Sequence, residues 1–386
     1  MRQPLKDLAA ICAGQGAPQG DHNYCENGTP FVKAGNLQEL LEGKAITSIQ
    51  KVSDEVAKKH KLRLYPKGTI LFAKSGMSCM KGYIYVLPQS AYVVSHLACI
   101  TPNEDISEYL RYYFNYHKPN QLVKDAAYPS ISLSDVGNLV VDMKPESERN
   151  EIVSVLQYTE SIITLRQRQL QKLDELVKAR FVELFGMPGT DAFGWGLVPL
   201  GSTCNINPKK SLDSRLVSGA VVSFVPMPAV TEHGEIDATA IKEYDEVKTG
   251  FTYFAENDVL FAKITPCMEN GKGAVAKGLH NGIGFGSTEF HVLRPISGKT
   301  DPYWIYTLTA FSQFRMDAAS NMTGSAGQRR VPASFLENYR VSLPPIALQE
   351  QFAAFVEQTD KSKVAVQKAL DEAQLLFDSL MQKYFG

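Results

Sequence analysis

The 386-residue sequence has no apolar run long enough to cross a bilayer, and residues 1–20 lack a signal peptide's basic start and apolar stretch. The six cysteines are scattered without a Cys-x-x-Cys pair, so a disulfide framework or structural zinc site is not expected. The seven histidines form no metal-ligand spacing. With a formal net charge of −1, the overall field gives no indication of nucleic acid. We expect a cytoplasmic protein with reduced thiols and no membrane segment.

Motifs for catalysis and nucleotide binding are also missing. No Gly-x-x-x-x-Gly-Lys-[Ser/Thr] phosphate loop occurs. The only double proline, Pro344-Pro345, follows a leucine, whereas an adenine methyltransferase needs Asn or Asp at that place. The glycine-rich run 282–286 precedes an expected strand, 288–294, where a nucleotide site requires a helix. We therefore expect no catalytic residue, bound cofactor or metal in this chain.

The sequence is internally duplicated with a period near 200 residues. Three blocks occur in the same order in both halves: Pro4-Leu5 with Pro199-Leu200, YPKGTILFAKSGMSCMKG (65–82) with FAENDVLFAKITPCMENGKG (254–273), and AYPSISLSDVGNLVVDMKP (127–145) with QRRVPASFLENYRVSLPP (328–345). Between these blocks, 16–64 and 205–253 have no convincing similarity. The pattern indicates two copies of one fold with different loops.

Each half ends in a long segment, 146–186 or 346–386, that follows a proline and closes with Phe-Gly. Proline suits a helix start and glycine a helix end, and neither occurs inside, so each segment predicts one long helix. Apolar residues recur at steps of four and three, a heptad seam that is stable only against a partner. The seam residues are Ile152, Leu156, Ile163, Leu170, Leu173 and Val177 in the first helix, and Phe352, Val356, Val366, Leu370, Phe377 and Leu380 in the second. We favour mutual antiparallel pairing over two helices that each pack only on their own domain.

These features predict an α/β (α+β) tandem repeat, with two globular domains separated by two long helices that form an antiparallel coiled coil. The expected divisions are 1–145 and 187–345 for the globules, and 146–186 and 346–386 for the helices. Expected elements inside the globules are strands Thr69–Phe72, Gly82–Leu87, Val259–Ile264 and Glu289–Arg294, and helices Ile106–Tyr116 and Pro302–Met316. Helices of about 55 Å would act as spacers, as in a DNA reader with two half-sites.

Lysines at strand ends and in one basic stretch are candidate DNA contacts. The stretch from Lys44 to Lys81 contains nine Lys or Arg residues and only two acidic residues. This stretch is either a solvated face or a patch that follows phosphates. Lys74 and Lys263 each come directly after a Leu-Phe-Ala strand, where a cation suits a phosphate or guanine. The alternative for each is a surface lysine without a role in binding.

The loop 323–330 is the second candidate region. Its glycines allow close backbone approach, and Gln328 could read adenine while Arg329 and Arg330 could read guanine. A solvated turn is the alternative. Lys272, in a glycine-rich turn, is a weaker candidate.

In its repeated motifs and its two long helical segments, the chain resembles the specificity (S) subunit of type I restriction-modification systems. The resemblance spans essentially the whole chain and rests on these motifs: LFAK at 71–74 and 260–263, GSAGQRRVPASFLENYRVSLPP at 324–345, IALQEQ at 346–351, and the helical blocks ending in LFG and YFG. It implies two target recognition domains that read the two halves of a split double-stranded DNA site. It also implies that the paired helices dock two methylation (M) subunits, with restriction (R) subunits in the nuclease complex.

S-adenosylmethionine for methylation, and ATP with Mg²⁺ for translocation and cleavage, would then belong to those partners. One departure is that the first half lacks the Gly-Gln-Arg-Arg element, so its contacts could lie in the lysine-rich stretch 44–81. The rival interpretation is a non-enzymatic coiled-coil scaffold whose tandem domains bind other proteins instead of DNA.

Overall fold

The computed structural model describes residues 1–325 and 327–386, without the side chain of Leu212. Contacts divide the chain into two units: Met1–Leu165 together with Leu370–Gly386, and Arg166–Ala369. Each unit therefore contains one globule and part of each long helix. The four-part division at 145, 186 and 345 stays a prediction. Within the described residues, no helix has the length and apolarity needed to span a membrane.

Small sheets and short helices make up the globule of the first unit. Its strands are β1 (Arg2–Pro4), β2 (Ala9–Ala13), β3 (Thr29–Val32), β4 (Lys51–Val52), β5 (Ile70–Ala73), β6 (Tyr85–Val86), β7 (Tyr92–Val93), β8 (Leu97–Pro102) and β9 (Val140–Asp142). Its α-helices are α1 (Leu5–Leu8), α2 (Asn36–Leu41), α3 (Asp54–Lys59), α4 (Ser107–Tyr116), α5 (Leu133–Gly137) and the first half of α6 (Glu146–Phe185). Its 3₁₀ turns are Asp21–Asn23, Ile46–Ser48, Met77–Lys81 and Pro119–Leu122.

The second unit has a corresponding set of elements. Its strands are β10 (Leu197–Pro199), β11 (Cys204–Ile206), β12 (Val221–Val225), β13 (Ile241–Glu243), β14 (Thr252–Ala255), β15 (Val259–Ala262), β16 (Gly273–Val275), β17 (Ile283–Gly286), β18 (Phe290–Pro295) and β19 (Arg340–Ser342). Its α-helices are α7 (Tyr244–Val247), α8 (Pro302–Ala310), α9 (Ser312–Ser320), α10 (Ala333–Asn338) and the first part of α11 (Ile346–Phe385). Its 3₁₀ turns are Leu200–Ser202, Lys210–Leu212, Met227–Ala229 and His280–Gly282.

The two globules repeat one sheet topology, which confirms the tandem repeat. The antiparallel order β2-β8-β5-β6 in the first matches β11-β18-β15-β16 in the second, and β1-β9 matches β10-β19. The third sheet, β4-β3-β7, matches β13-β12-β17, which adds β14 at its edge. In both, the central pair is parallel: β3 with β7, and β12 with β17. The shared fold thus extends through 16–64 and 205–253, where the sequences have diverged.

The strands that carry the Leu-Phe-Ala repeat lie at the centre of each core. All four residues of β5 and all four of β15 are buried. Such short, continuous apolar runs are typical of strands covered on both faces. The residue that follows each strand is therefore the first one free to reach the surface.

The long helices α6 and α11 begin where expected, end one residue before the predicted segments do, and pair antiparallel within each unit. In the first unit, Ile152 and Leu156 share a buried cluster with Met381 and Phe385. In the second, the rings of Phe185 and Phe352 lie 5.4 Å apart. The twelve predicted seam residues are buried or half-buried. Aromatic or Met residues outside that set also contribute to the two cores: Phe181, Phe185, Met381 and Phe385.

Two predicted elements are wrong in extent. The helix expected over Pro302–Met316 is two helices, because Phe311 adopts an extended conformation with φ −70° and ψ 141°. This break directs the buried Phe311 ring toward Phe181, 5.2 Å away. The strand expected over Gly82–Leu87 is limited to Tyr85–Val86, since Gly82 has a left-handed φ of 62°.

Candidate nucleic-acid interface

In the first unit, Lys74 lies where three chain segments meet. Its backbone N–H donates to His96 O at 2.9 Å, and its carbonyl accepts from Ile131 N at 2.8 Å. Beside it, Gly76 N donates to Pro129 O at 3.0 Å. We call residues 74–76, His96 and 129–131 the first frame.

The second unit has the same arrangement around Lys263. The N–H of Lys263 donates to Glu289 O at 2.9 Å, and its carbonyl accepts from Val331 N at 2.9 Å. Thr265 N donates to Arg329 O at 3.0 Å. Residues 263–265, Glu289 and 329–331 form the second frame. The backbone hydrogen bonds correspond one to one, so the two frames are equivalent positions of the repeat.

The frames share the lysine but differ in the other side chains. Lys74 and Lys263 are half-buried, and within the described part of the chain neither ammonium has a hydrogen bond or ion pair. Lys272 lies beside Lys263, because Ala262 N donates to Lys272 O at 3.1 Å. Lys81 instead donates to Gln38 on α2 at 3.3 Å and has no such link to the first frame.

Three hydrogen bonds to two groups hold Arg330 on the second frame. Its Nε and Nη2 donate to the two carboxylate oxygens of Glu289 at 2.9 and 2.8 Å, and its Nη1 donates to Gln328 O at 3.1 Å. The Arg330 hydrogen bonds lower the pKa of Glu289, so this carboxylate stays ionised. A bidentate pair of this type fixes orientation. Sequence reasoning grouped Arg330 with Arg329, but its guanidinium is already engaged.

Arg329 is less constrained. Its Nη2 donates to Glu269 at 3.2 Å, and both side chains are substantially exposed. Its backbone is fixed, because Arg329 N donates to Thr265 Oγ1 at 3.1 Å. Gln328 is also exposed. The Arg330 side chain is 41% exposed, close to the 44% of Arg329, so the two arginines differ in how firmly they are held and not in exposure.

Glycines and a buried histidine shape the loop 323–330. Gly324 and Gly327 have φ values of +119° and +83°, which L-residues with side chains rarely adopt. Ala326 lies outside the described residues. Below the loop, the Nε2–H of His291 donates to Val331 O at 2.8 Å. Burial lowers the pKa of His291, so the ring is neutral and anchors the loop without adding charge.

One polar side chain of the first frame is that of His96, which the sequence analysis did not propose. His96 is exposed, and its Nδ1 lies 2.8 Å from Ser75 Oγ. Beside it, Tyr128 is 82% exposed. Tyr128 and Gln328 lie three residues before Ile131 and Val331, so they occupy equivalent places. Neither His96 nor Tyr128 belongs to a basic motif. Only the alignment of the two halves, which pairs Tyr128 with Gln328, could have indicated Tyr128 from the sequence.

The lysine-rich stretch also reaches the surface. Lys58, Lys59, Lys61, Arg63 and Lys67 are exposed in and after α3. The side chain of Gln15 holds the backbone of this segment, because it donates to Lys61 O at 2.8 Å and accepts from Arg63 N.

Comparisons with known proteins agree with the duplicated fold. The family model for the type I restriction modification DNA specificity domain matches residues 2–175 and 194–373. Over 193 residues, the chain is 38% identical to the EcoEI and 37% identical to the EcoAI type I restriction enzyme specificity subunits of Escherichia coli. These matches cover 49% of this chain and 32% of each relative, so the chain spans about a third of their length.

Two solved structures share the fold over the whole chain. The S subunit of a type I restriction-modification system from M. genitalium aligns with a TM-score of 0.56 at 12% identity, covering 96% of that chain. A chain from a study of type I R-M complex assembly and conformational transition aligns with a TM-score of 0.55 at 18% identity, covering 97% of it. Because two successive domain matches account for most of its residues, the chain belongs to the type I restriction modification DNA specificity family.

Proposed function

We propose that this chain is the sequence-reading subunit of a type I restriction-modification complex and performs no chemistry itself. Each globule would read one half of a split double-stranded DNA site. The observation that carries the proposal is the pair of frames: one backbone geometry, one shared lysine and different neighbouring side chains. Two half-sites require this combination, because their phosphate backbones are the same while their bases differ.

The side chains divide accordingly. Lys74 and Lys263 would contact phosphates, with Lys272 beside the second frame as an additional cation. Gln328 and Arg329 would read base edges, because an amide suits adenine and a guanidinium suits guanine. Arg330 would hold the loop in place. Lys81 is the weakest candidate, as its ammonium is directed to Gln38.

The paired long helices would set the spacing and dock two methylation subunits in the cytoplasm. Restriction subunits would join the nuclease form. S-adenosylmethionine, ATP and Mg²⁺ would be bound by those partners, and this chain would need no cofactor. The predicted seam residues would hold the helices together.

Methylation mapping with the reconstituted complex tests the proposal. With both methylation subunits and S-adenosylmethionine, we expect modification at one bipartite motif, and none when this chain is supplied alone. Lys74→Ala and Lys263→Ala should weaken binding uniformly across sequences and reduce the salt slope by about 1 each. Lys118→Ala, an exposed lysine outside both frames, serves as the control. Turnover by the isolated chain would contradict the proposal. A complex that assembles but binds no DNA would also contradict it, and would favour the scaffold.

A further inference from the structure

We propose that the first globule recognises thymine in its half-site through an exposed apolar surface formed by Met77, Met80 and Tyr128. We call these three residues the apolar surface. The inference rests on the proposed function and adds the class of base that the first globule reads.

The apolar surface lies directly beside the first frame. The hydrogen bond from Gly76 N to Pro129 O joins two chain segments, and Met77 and Tyr128 are the next residues on them. Met77 is 71% exposed, Tyr128 82% and Met80, on the same 3₁₀ turn as Met77, 39%. Large apolar side chains are usually buried, and a group of them beside a candidate binding site marks an interaction surface.

Contacts within the first unit hold the loop that carries Tyr128. Asp125 Oδ1 accepts from Ala127 N at 2.8 Å, and Lys124 pairs with Asp135 on α5 at 2.8 Å. Together with the Pro129 bond, these contacts hold Tyr128 outward. A preorganised aromatic side chain loses little entropy on binding, which suits a reader.

The equivalent place in the second unit has the opposite character. There, Gln328 replaces Tyr128, and the adjacent Arg329 pairs with Glu269. Since the two frames present the same lysine, the same backbone approach to DNA brings an apolar surface to one half-site and a polar one to the other.

Base chemistry identifies the partner of an apolar surface. The C5-methyl group of thymine is the one apolar group among the base edges of the major groove, whereas guanine, adenine and cytosine present hydrogen-bonding atoms. Contact with Met77 and Tyr128 would remove this methyl group from water. The surface therefore selects thymine over cytosine, which lacks the methyl group.

The test replaces thymine by uracil, which lacks only that methyl group. Once methylation mapping has given the motif, duplexes with dU at each thymine of the first half-site are titrated with the reconstituted complex. At a contacted thymine we expect about a fourfold rise in Kd, the change that corresponds to one buried methyl group. In Met77→Ala or Tyr128→Ala complexes the same dU substitution should have no effect. Lys118→Ala, at an exposed residue outside both frames, should leave the dU effect intact.

Several results would overturn the inference: a first half-site without thymine, equal Kd for dT and dU duplexes, or a dU effect that persists in both variants. Loss of complex assembly in the variants would instead assign the apolar surface to a protein partner. Melting temperatures of the variant chains should match the wild type, because the side chains are exposed. If the wild-type complex methylated no bipartite motif, the proposed function itself would fail. That result differs from a bipartite motif whose Kd does not depend on the thymine methyl group, which would contradict only the inference.

Discussion

Adjacent arginines of the second loop have different surroundings, and this difference predicts different roles for them. Arg330 has all three guanidinium nitrogens engaged by Glu289 and Gln328. Arg329 shares one nitrogen with an exposed glutamate, so exchange of that partner for a base costs little. We therefore expect Arg329 to contact DNA and Arg330 to shape the loop.

Single substitutions distinguish the two roles. Arg329→Ala should leave the melting temperature unchanged and weaken recognition of the second half-site alone by about 1–3 kcal/mol, if the residue reads guanine. Arg330→Ala should lower the melting temperature, because it leaves Glu289 without its partner and frees the loop. Thermal unfolding and methylation mapping measure the two effects. Equal behaviour of the variants in both measurements would contradict the assignment.

At this scale the sequence indicates candidate residues but not their surroundings. Lys74 and Lys263 are candidates because the LFAK repeat places them after a buried strand, and their contact with DNA stays a prediction. The engagement of Arg330 depends on Glu289, which lies 41 residues away and became visible only in the folded chain. Tyr128 was missed because an exposed tyrosine leaves no periodic or charged signature.

Among the elements, the two long helices share a cluster of aromatic side chains in the second unit. Phe181 on α6 is 1% exposed, and its ring lies 4.9 Å from Phe185, 5.2 Å from Phe311 and 5.6 Å from Phe352. This cluster joins α6, α11 and the break between α8 and α9. Packing at this point therefore attaches the helix pair to the second globule.

Phe181→Ala should destabilise the second unit by about 3–5 kcal/mol, since it removes a fully buried ring and leaves a cavity. Leu176→Ala on the same helix is the control. Because Leu176 is 48% exposed, its removal should change stability by about 0.5 kcal/mol or less. Denaturant unfolding gives both values. Similar losses for the two variants would mean that the aromatic cluster does not anchor the helices.

Helix bounds were predictable because Gly and Pro are absent between residues 146 and 185 and between 346 and 385. The break at Phe311 was not predictable, because ordinary helix-forming residues follow it. The reason for the break is the packing of the Phe311 ring against Phe181. The parallel strand pairs β3–β7 and β12–β17 also escaped prediction. Long-range parallel pairing leaves no local pattern once the sequences of the two copies have diverged.

At the scale of the whole molecule, the boundaries between the two units fall inside the long helices. The boundaries fall after Leu165 in α6 and after Ala369 in α11. A change of helix length at these two places therefore leaves the residues of each unit intact. It offers a direct test of the spacer role proposed for the helices.

One heptad inserted after Leu165 and another after Ala369 should preserve both apolar seams. Seven residues add about 10 Å, or roughly three base pairs. Methylation mapping should then return the same two half-sites with a gap longer by about that amount. Affinity should fall, because three base pairs also rotate one half-site by about 100°. An insertion of the same length in the exposed turn after Gly298 should leave the gap unchanged. An unchanged gap in the active helix variant would contradict the spacer role.

The division of the chain also sets an order of assembly during synthesis. Arg166–Ala369 form a unit from one continuous stretch, whereas Met1–Leu165 depend on Leu370–Gly386. These late residues complete the first core: Met381 and Phe385 are buried in it, and the ring of His117 bonds to Phe385 O at 2.8 Å. In a chain that grows from its N-terminus, the first globule is therefore made early, but its core closes only after the second unit has been made. The half of the molecule that leaves the ribosome first waits for Leu370–Gly386, and the second unit is complete before it.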